Sequence, residues 1–154
     1  MVQRECMLDA ANGRLVCGRS VGERVRAQGK LHLWDERPAA AVDTVVVHYI
    51  SAGDVPGADP FSEEQILAVF CDFGVSSHYL IGRDGSVLRL VPEAERAWHC
   101  GGSIMPSPDE RVGVNDFSIG VELVATADSG YAEAQYRALG ALGRGLAERL
   151  GGPL

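Results

Sequence analysis

Apolar residues run almost unbroken through Val45-Val46-Val47-His48-Tyr49-Ile50, within the stretch 42–51. β-branched side chains without alternation predict a strand buried on both faces and central in its sheet. The run carries His48 and is followed by the small polar Ser51 and by Gly53. Strand ends in α/β sheets are where catalytic and metal-binding side chains gather. A core strand has no packing need for an imidazole, so His48 is either a hydrogen-bonded core residue or a chemical group.

The rest of the pattern fills in an α/β fold. Residues 1–37 are the least regular: Arg14–Cys17 suggests a short strand, and Gly18, Gly22 and Gly29 break longer elements. Pro38, Ala39 and Ala40 lead into the central strand, and Gly53, Pro56, Gly57 and Pro60 make 52–61 irregular. Ser62-Glu63-Glu64-Gln65 reads as a capping box opening a helix to Phe73, with Ile66, Val69, Phe70 and Phe73 as its apolar stripe and Gly74 as its stop. Ser77–Gly82 and Val87–Val91 predict antiparallel strands around a tight turn at Arg83–Ser86, with Pro92 ending the second. Ser118–Val124 is a further strand, with Glu122 inside an apolar run. A last helix spans about 132–150 with Leu139, Leu142, Leu146 and Leu150 buried, and Gly151-Gly152-Pro153 closes it. Gly140, Gly143 and Gly145 each cost that helix about 1 kcal/mol against alanine, which predicts close approach to the sheet there. The expected architecture is one domain with a mixed, twisted central sheet and helices on both faces.

Composition narrows the function classes. The chain has 154 residues, 46% of them hydrophobic and 23% charged, with a net charge of −7. That is an ordinary globular balance, and its sign argues against nucleic acid or an anionic membrane surface as partner. No apolar run is long enough to span a bilayer. Met1–Cys6 lacks the apolar core of a signal peptide, so the expected location is cytoplasmic, as a monomer. Cys6, Cys17, Cys71 and Cys100 match no metal-finger spacing and are expected as free, mostly buried thiols.

Three histidines, His48, His78 and His99, fall in or beside predicted core strands, together with Glu122. Buried charges need a partner or a metal, so this set suggests a zinc or an acid–base site. His32 lies in a polar segment and is expected to be exposed. No H-E-x-x-H is present, which excludes the helical zinc-protease arrangement. Gly18-Arg19-Ser20-Val21-Gly22 fits G-x-S-x-G, but the helix after it is too short for a nucleophile elbow. A cysteine hydrolase built on Cys71 or Cys100 is the other chemical option. Adjacent residues in an extended segment point opposite ways, so His99 and Cys100 are expected apart.

Four segments in order resemble the type 2 N-acetylmuramoyl-L-alanine amidases: Val45–Ser51, Val75–Gly85, Arg96–Gly101 and Asn115–Leu123. Tyr131–Leu139 is similar to the start of that family's long helix. The resemblance covers about 38–150 and is greatest to the cytoplasmic enzymes that process anhydro-muropeptides in cell-wall recycling. Phage endolysin amidases and peptidoglycan recognition proteins share the fold. It implies zinc-dependent cleavage of the amide between N-acetylmuramic acid and L-alanine. It makes His48 the first zinc ligand, Glu122 the general base, and Trp98, His99 and Asn115 the substrate cleft, with His78 structural. It implies a domain at 38–154 with 1–37 as an N-terminal extension within it, and a muropeptide or peptidoglycan fragment as partner. In the family the second zinc histidine, an aspartate or cysteine ligand and a lysine follow the long helix. Up to Leu154 this chain shows none of them. That leaves a fragment, a metal-free muropeptide-binding relative, or a site re-formed around His48 by His78 or His99.

Overall fold

The computed structural model describes residues 3–38 and 41–152. The expected lead-in at Ala39 and Ala40, the helix stop at Pro153, and Met1 and Val2 lie outside them. In chain order the strands are β1 (Gln3–Glu5), β2 (Ala10–Ala11), β3 (Arg14–Leu15), β4 (Trp34–Glu36), β5 (Thr44–Ile50), β6 (Tyr79–Ile81), β7 (Val87–Arg89), β8 (Glu95–Ala97) and β9 (Ser118–Val124). The helices are α1 (Glu23–Ala27), α2 (Glu63–Phe73) and α3 (Glu133–Leu150), with a 3₁₀ turn at Val114–Phe117.

Five strands form a mixed sheet in the order β1-β7-β6-β9-β5. Only the β6–β7 hairpin is antiparallel; β1 with β7, β6 with β9 and β5 with β9 are parallel. Strand alternation sends two residue sets to opposite faces. Tyr79, Ile81, Val87, Ile119, Val121 and Leu123 meet Ala138, Leu142 and Leu146 of α3. Leu80, Leu88 and Val124 meet Val25 of α1 and Ile66, Leu67 and Phe70 of α2. Ser62 Oγ accepts the Gln65 amide to open α2, and Gly74 closes it at φ +65°. Gly85, at φ +83°, turns the hairpin where a Cβ would come within 2.8 Å of the Ala134 carbonyl oxygen.

Four expectations change. The β5 strand is not central: it ends the sheet, with Val47 46% and Tyr49 54% exposed. The long apolar strand enclosed on both sides is β9, and the core under α3 takes in β6 and β9 but, of β5, only Val45. In α2 the buried side is Ile66, Leu67, Phe70 and Cys71, whereas Phe73 is exposed because the helix ends beyond its cover. The α3 glycines do not press on the sheet: a Cβ at Gly143 would meet nothing, and at Gly140 or Gly145 it would meet only arginine ends of α3 itself. His32 is half-buried rather than exposed, stacked on Trp34 at 4.4 Å between ring centroids.

His78 fixes the junction between layers. It is 0% exposed, its Nδ1 accepts the Gly120 amide at 3.0 Å, and its Nε2 lies 2.9 Å from the Glu95 carbonyl oxygen. Those partners assign the proton to Nε2. The ring therefore ties β9 to β8, a structural role. Burial, first, holds its pKa down at about 4. The folded value lies below the unfolded one, so this contribution to stability is lost as pH falls below about 6.5 toward 4. His78→Ala is expected to lower the urea stability at pH 7.5 by about 2–4 kcal/mol, because it leaves a buried donor and acceptor unpaired. A change under about 0.5 kcal/mol, the size of an ordinary surface substitution, would contradict this reading.

Candidate active site

The site forms where three chain segments meet on the α2 face of the sheet. In the parallel β5–β9 pairing His48 stands opposite Glu122. Partners in register point to the same face, so imidazole and carboxylate share one side. The third segment follows β8, which is held antiparallel to β4. After Ala97 the chain bends at His99 and Cys100. Asn115 Oδ1 accepts the amides of both residues, at 3.2 and 2.9 Å, and holds the bend.

That bend overturns the expected separation of His99 and Cys100. Both side chains turn toward His48, because the segment is not extended there. His99 Nδ1 lies 3.0 Å from His48 Nε2 and 3.0 Å from Cys100 Sγ, and Cys100 Sγ lies 3.8 Å from His48 Nε2. The other nitrogen of His99, Nε2, is 3.0 Å from Ser118 Oγ. The His99 ring rests on Gly120, where a Cβ would come within 2.5 Å of it. Any side chain at that β9 position would push the imidazole off the strand.

Burial sets the electrostatics. It pushes Glu122 up to about 7, and Glu122 Oε2 is buried with no hydrogen-bond partner. Burial lowers His48, and burial with the neighbouring His78 and His48 brings His99 down to about 3. Both imidazoles are therefore neutral near pH 7, with lone pairs to offer. Burial, and after it the Glu122 carboxylate, holds the Cys100 thiol above its ordinary value. A cysteine nucleophile needs a lowered thiol and a charged histidine, and neither is present. Cys71 is buried in α2, with burial driving it up to about 12. Ser20 is exposed in a turn bridged to Arg14 and takes no part.

The donors fit zinc. Zinc takes imidazole nitrogen and thiolate sulfur at about 2.0–2.3 Å in tetrahedral sites, which sets such donors about 3.3–3.6 Å apart. The three separations here fall on either side of that spacing, and all three donor atoms lie within 4.8 Å of one another. His78 is not among them, since both its nitrogens are engaged elsewhere.

Beside this cluster opens a cleft of about 410 Å³ lined by Asp35, Arg96, Trp98, His99, Asn115 and Glu122, among others. Trp98 Nε1 donates to Asp35 Oδ2 at 2.9 Å, and Lys30 Nζ sits 4.4 Å from the Trp98 ring centroid. Asp35 also pairs with Lys30, and with Arg96 at 3.0 Å. Arg37 donates to the carbonyls of Glu93, Glu95, Asn115 and Asp116, fastening β8 to the 3₁₀ turn. The sequence reading missed Lys30, Asp35 and Arg37, which lie in the segment with the weakest periodicity. It also set Cys100 aside, although Gly101-Gly102 directly after it signals a turn.

Comparison with known proteins gives a consistent result. A family model described as N-acetylmuramoyl-L-alanine amidase matches residues 38–154. The 1,6-anhydro-N-acetylmuramyl-L-alanine amidase AmpD of Escherichia coli (strain K12) is 42% identical over 91 residues, 59% of this chain and 45% of that protein. The chain spans about half the length of the curated relatives it matches. The crystal structure of a Se-Met AmpD derivative superposes with TM-score 0.62 at 32% identity, over 97% of this chain and 80% of the other. The E. coli amidase AmiD, in complex with the substrate anhydro-N-acetylmuramic acid-L-Ala-D-gamma-Glu-L-Lys, gives TM-score 0.55 at 30% identity, over 73% and 46%.

The raised Glu122 has a measurable consequence in metal-free protein. Its folded value of about 7 exceeds the ordinary 4.5, so folding takes up a proton and stability falls as pH rises through that window. Glu122→Gln is expected to leave stability unchanged near pH 4.5 and to raise it at pH 8 by up to about 3 kcal/mol, read by denaturation after chelator treatment. An effect equal at both pH values would refute ionisation as its source.

Proposed function

Because the chain belongs to the N-acetylmuramoyl-L-alanine amidase family, we propose that it hydrolyses the amide between N-acetylmuramic acid and L-alanine in muropeptides, with zinc as cofactor. The observation that carries this reading is the β5–β9 register. It sets His48 and Glu122 on one face beside a cleft large enough for a small glycopeptide. The relatives' names, which specify 1,6-anhydro-N-acetylmuramyl-L-alanine amidases, support an anhydro-muropeptide substrate.

His48 would supply a neutral imidazole ligand to the metal. Bound zinc contributes Lewis acidity, which activates water and polarises a carbonyl. Glu122 takes the proton from the attacking water and passes it to the departing L-alanine nitrogen. Its pKa near 7 suits both steps, since an acid–base group works best close to the operating pH. Its partnerless oxygen is free to take that hydrogen bond. Trp98, fixed by Asp35, offers an apolar wall to the sugar or peptide, with His99 beside it. Asn115 acts mainly through the chain, by holding the bend that carries His99. The first 37 residues belong to the same domain in this reading: Leu8, Leu15, Val21, Val25 and Leu33 pack into its core.

The surface carries a net charge of −7, which disfavours nucleic acid as partner. No helix among the described residues is long and apolar enough to cross a membrane. Four free cysteines suit a reducing cytoplasm.

The test uses an anhydro-muropeptide and chromatographic detection of the released peptide. His48→Ala is expected to lose both zinc and turnover. Glu122→Gln should keep zinc and lose about 10²–10⁴-fold in rate. Unchanged turnover in Glu122→Gln would remove the base assignment. Muropeptide binding by zinc-free wild type without cleavage would make the chain a binding relative.

A further inference from the structure

We propose that Cys6 and Cys17 form a peroxide-sensitive dithiol site, in which the Cys17 sulfur is oxidised first and Cys6 then closes a disulfide onto it. Neither residue lines the cleft, and the inference does not depend on the amidase reading. The N-terminal segment brings the two cysteines together. Leaving β1, the chain stays on the sheet: the amides of Cys6 and Leu8 donate to the carbonyls of Arg89 and Leu90, each at 2.9 Å. The β2–β3 hairpin then folds back, with Ala10 opposite Leu15 and the Val16 amide donating to the Asp9 carbonyl at 2.6 Å. Cys17 sits in the turn that follows, closed by the Gly18 amide on the Leu15 carbonyl at 2.8 Å. There the Cys6 thiol donates a hydrogen bond to the Cys17 sulfur. Both side chains pack, half-buried, against the same core, so neither is sealed from a small oxidant.

The surroundings divide the pair into a nucleophile and a resolving thiol. The Cys17 sulfur accepts the Cys6 thiol first, then the amides of Arg19 and of Cys17 itself, with the Arg19 guanidinium nearby. These contacts outweigh burial and bring Cys17 down to about 6, so it is a thiolate at pH 7. Cys6 keeps its proton, because it donates to Cys17, is half-buried and lies near the Glu63 carboxylate. Redox-sensing cysteines combine these three features: thiolate character, access and an adjacent thiol. The thiolate of Cys17 attacks one oxygen of hydrogen peroxide. An S–O bond forms, the O–O bond breaks, and hydroxide leaves. Cys6 then gives its proton to that hydroxide, forming water, and its sulfur attacks the sulfenic sulfur of Cys17. The S–S bond forms and the S–O bond breaks, releasing a second hydroxide. Two sulfurs lose two electrons and the peroxide gains them. The bond ties the turn after β3 to the end of β1, and a thiol reductant reverses it. Transient bridges of this kind are the ones a reducing compartment permits.

Hydrogen peroxide is the probe. The reduced full chain is treated with one equivalent, its remaining thiols are blocked with iodoacetamide, and it is digested with trypsin. Cleavage after Arg4, Arg14 and Arg19 puts the two cysteines in separate peptides, so the disulfide joins residues 5–14 to residues 15–19. Mass spectrometry is expected to find this joined pair as the main oxidised product, and dithiothreitol should abolish it. In reduced wild type at pH 7, limiting iodoacetamide is expected to label Cys17 about tenfold faster than Cys6 or Cys71. Cys6→Ser removes the resolving thiol and should leave a Cys17 sulfenic acid that dimedone traps. The first two measurements use wild type alone, so a misfolded variant does not decide the result. A bridge from Cys17 to Cys71, oxidation of Cys17 to sulfonic acid without a bridge, or labelling of Cys17 no faster than Cys71 overturns the proposal.

Discussion

The parallel pairing of Thr44–Ile50 with Ser118–Val124 is the constraint on which the site depends. Because side chains alternate along a strand, a one-residue slip of either partner would move His48 or Glu122 to the α3 face. Both strands resist that slip. The odd positions of β9 are apolar and buried under α3, whereas its even positions hold Gly120 and Glu122 on the other side. The hydrophobic pattern that makes the core therefore also sets His48 and Glu122 side by side on one face. His78 adds a second lock, since its ring accepts the Gly120 amide and is itself immobilised against Glu95.

The cluster carries an electrostatic cost that packing alone does not explain. An apolar residue at position 122 would bury without penalty, and so would one at position 99. Instead a carboxylate is held near pH 7 with an oxygen unpartnered, beside two imidazoles kept neutral by burial. Local inconsistencies of this kind concentrate at functional sites.

Much of this was legible in the sequence because it rests on periodicity. The helices at 63–73 and 133–150, the β6–β7 hairpin and Glu122 within a buried strand all follow from spacing and turn residues. Position within the sheet was not legible. A run of β-branched residues reads the same in an edge strand as in a central one, and only the extent of α3 decides that Tyr49 is uncovered. Cys100 was set aside for a related reason. Alternation is a sound rule in extended chain, but a side-chain amide fifteen residues away, on Asn115, holds a bend there. Long-range capping of that sort leaves only a faint local signal, here a pair of glycines.

The N-terminal segment illustrates the limit most clearly. Its periodicity is weak, and the family match begins only after it. Yet β4 supplies the partner strand for β8, and β8 delivers Trp98, His99 and Cys100. Asp35 holds the indole, Lys30 lies over its ring, and Arg37 joins β8 to the turn that bears Asn115. These contacts are made by side chains on short elements stabilised by tertiary packing rather than by propensity. The segment thus forms one wall of the cleft and anchors the bend. The geometry of the cleft within 38–154 depends on residues that lie outside the matched family segment. Substitutions near Asp35 should therefore act on the orientation of Trp98 before they act on the chemistry at Glu122.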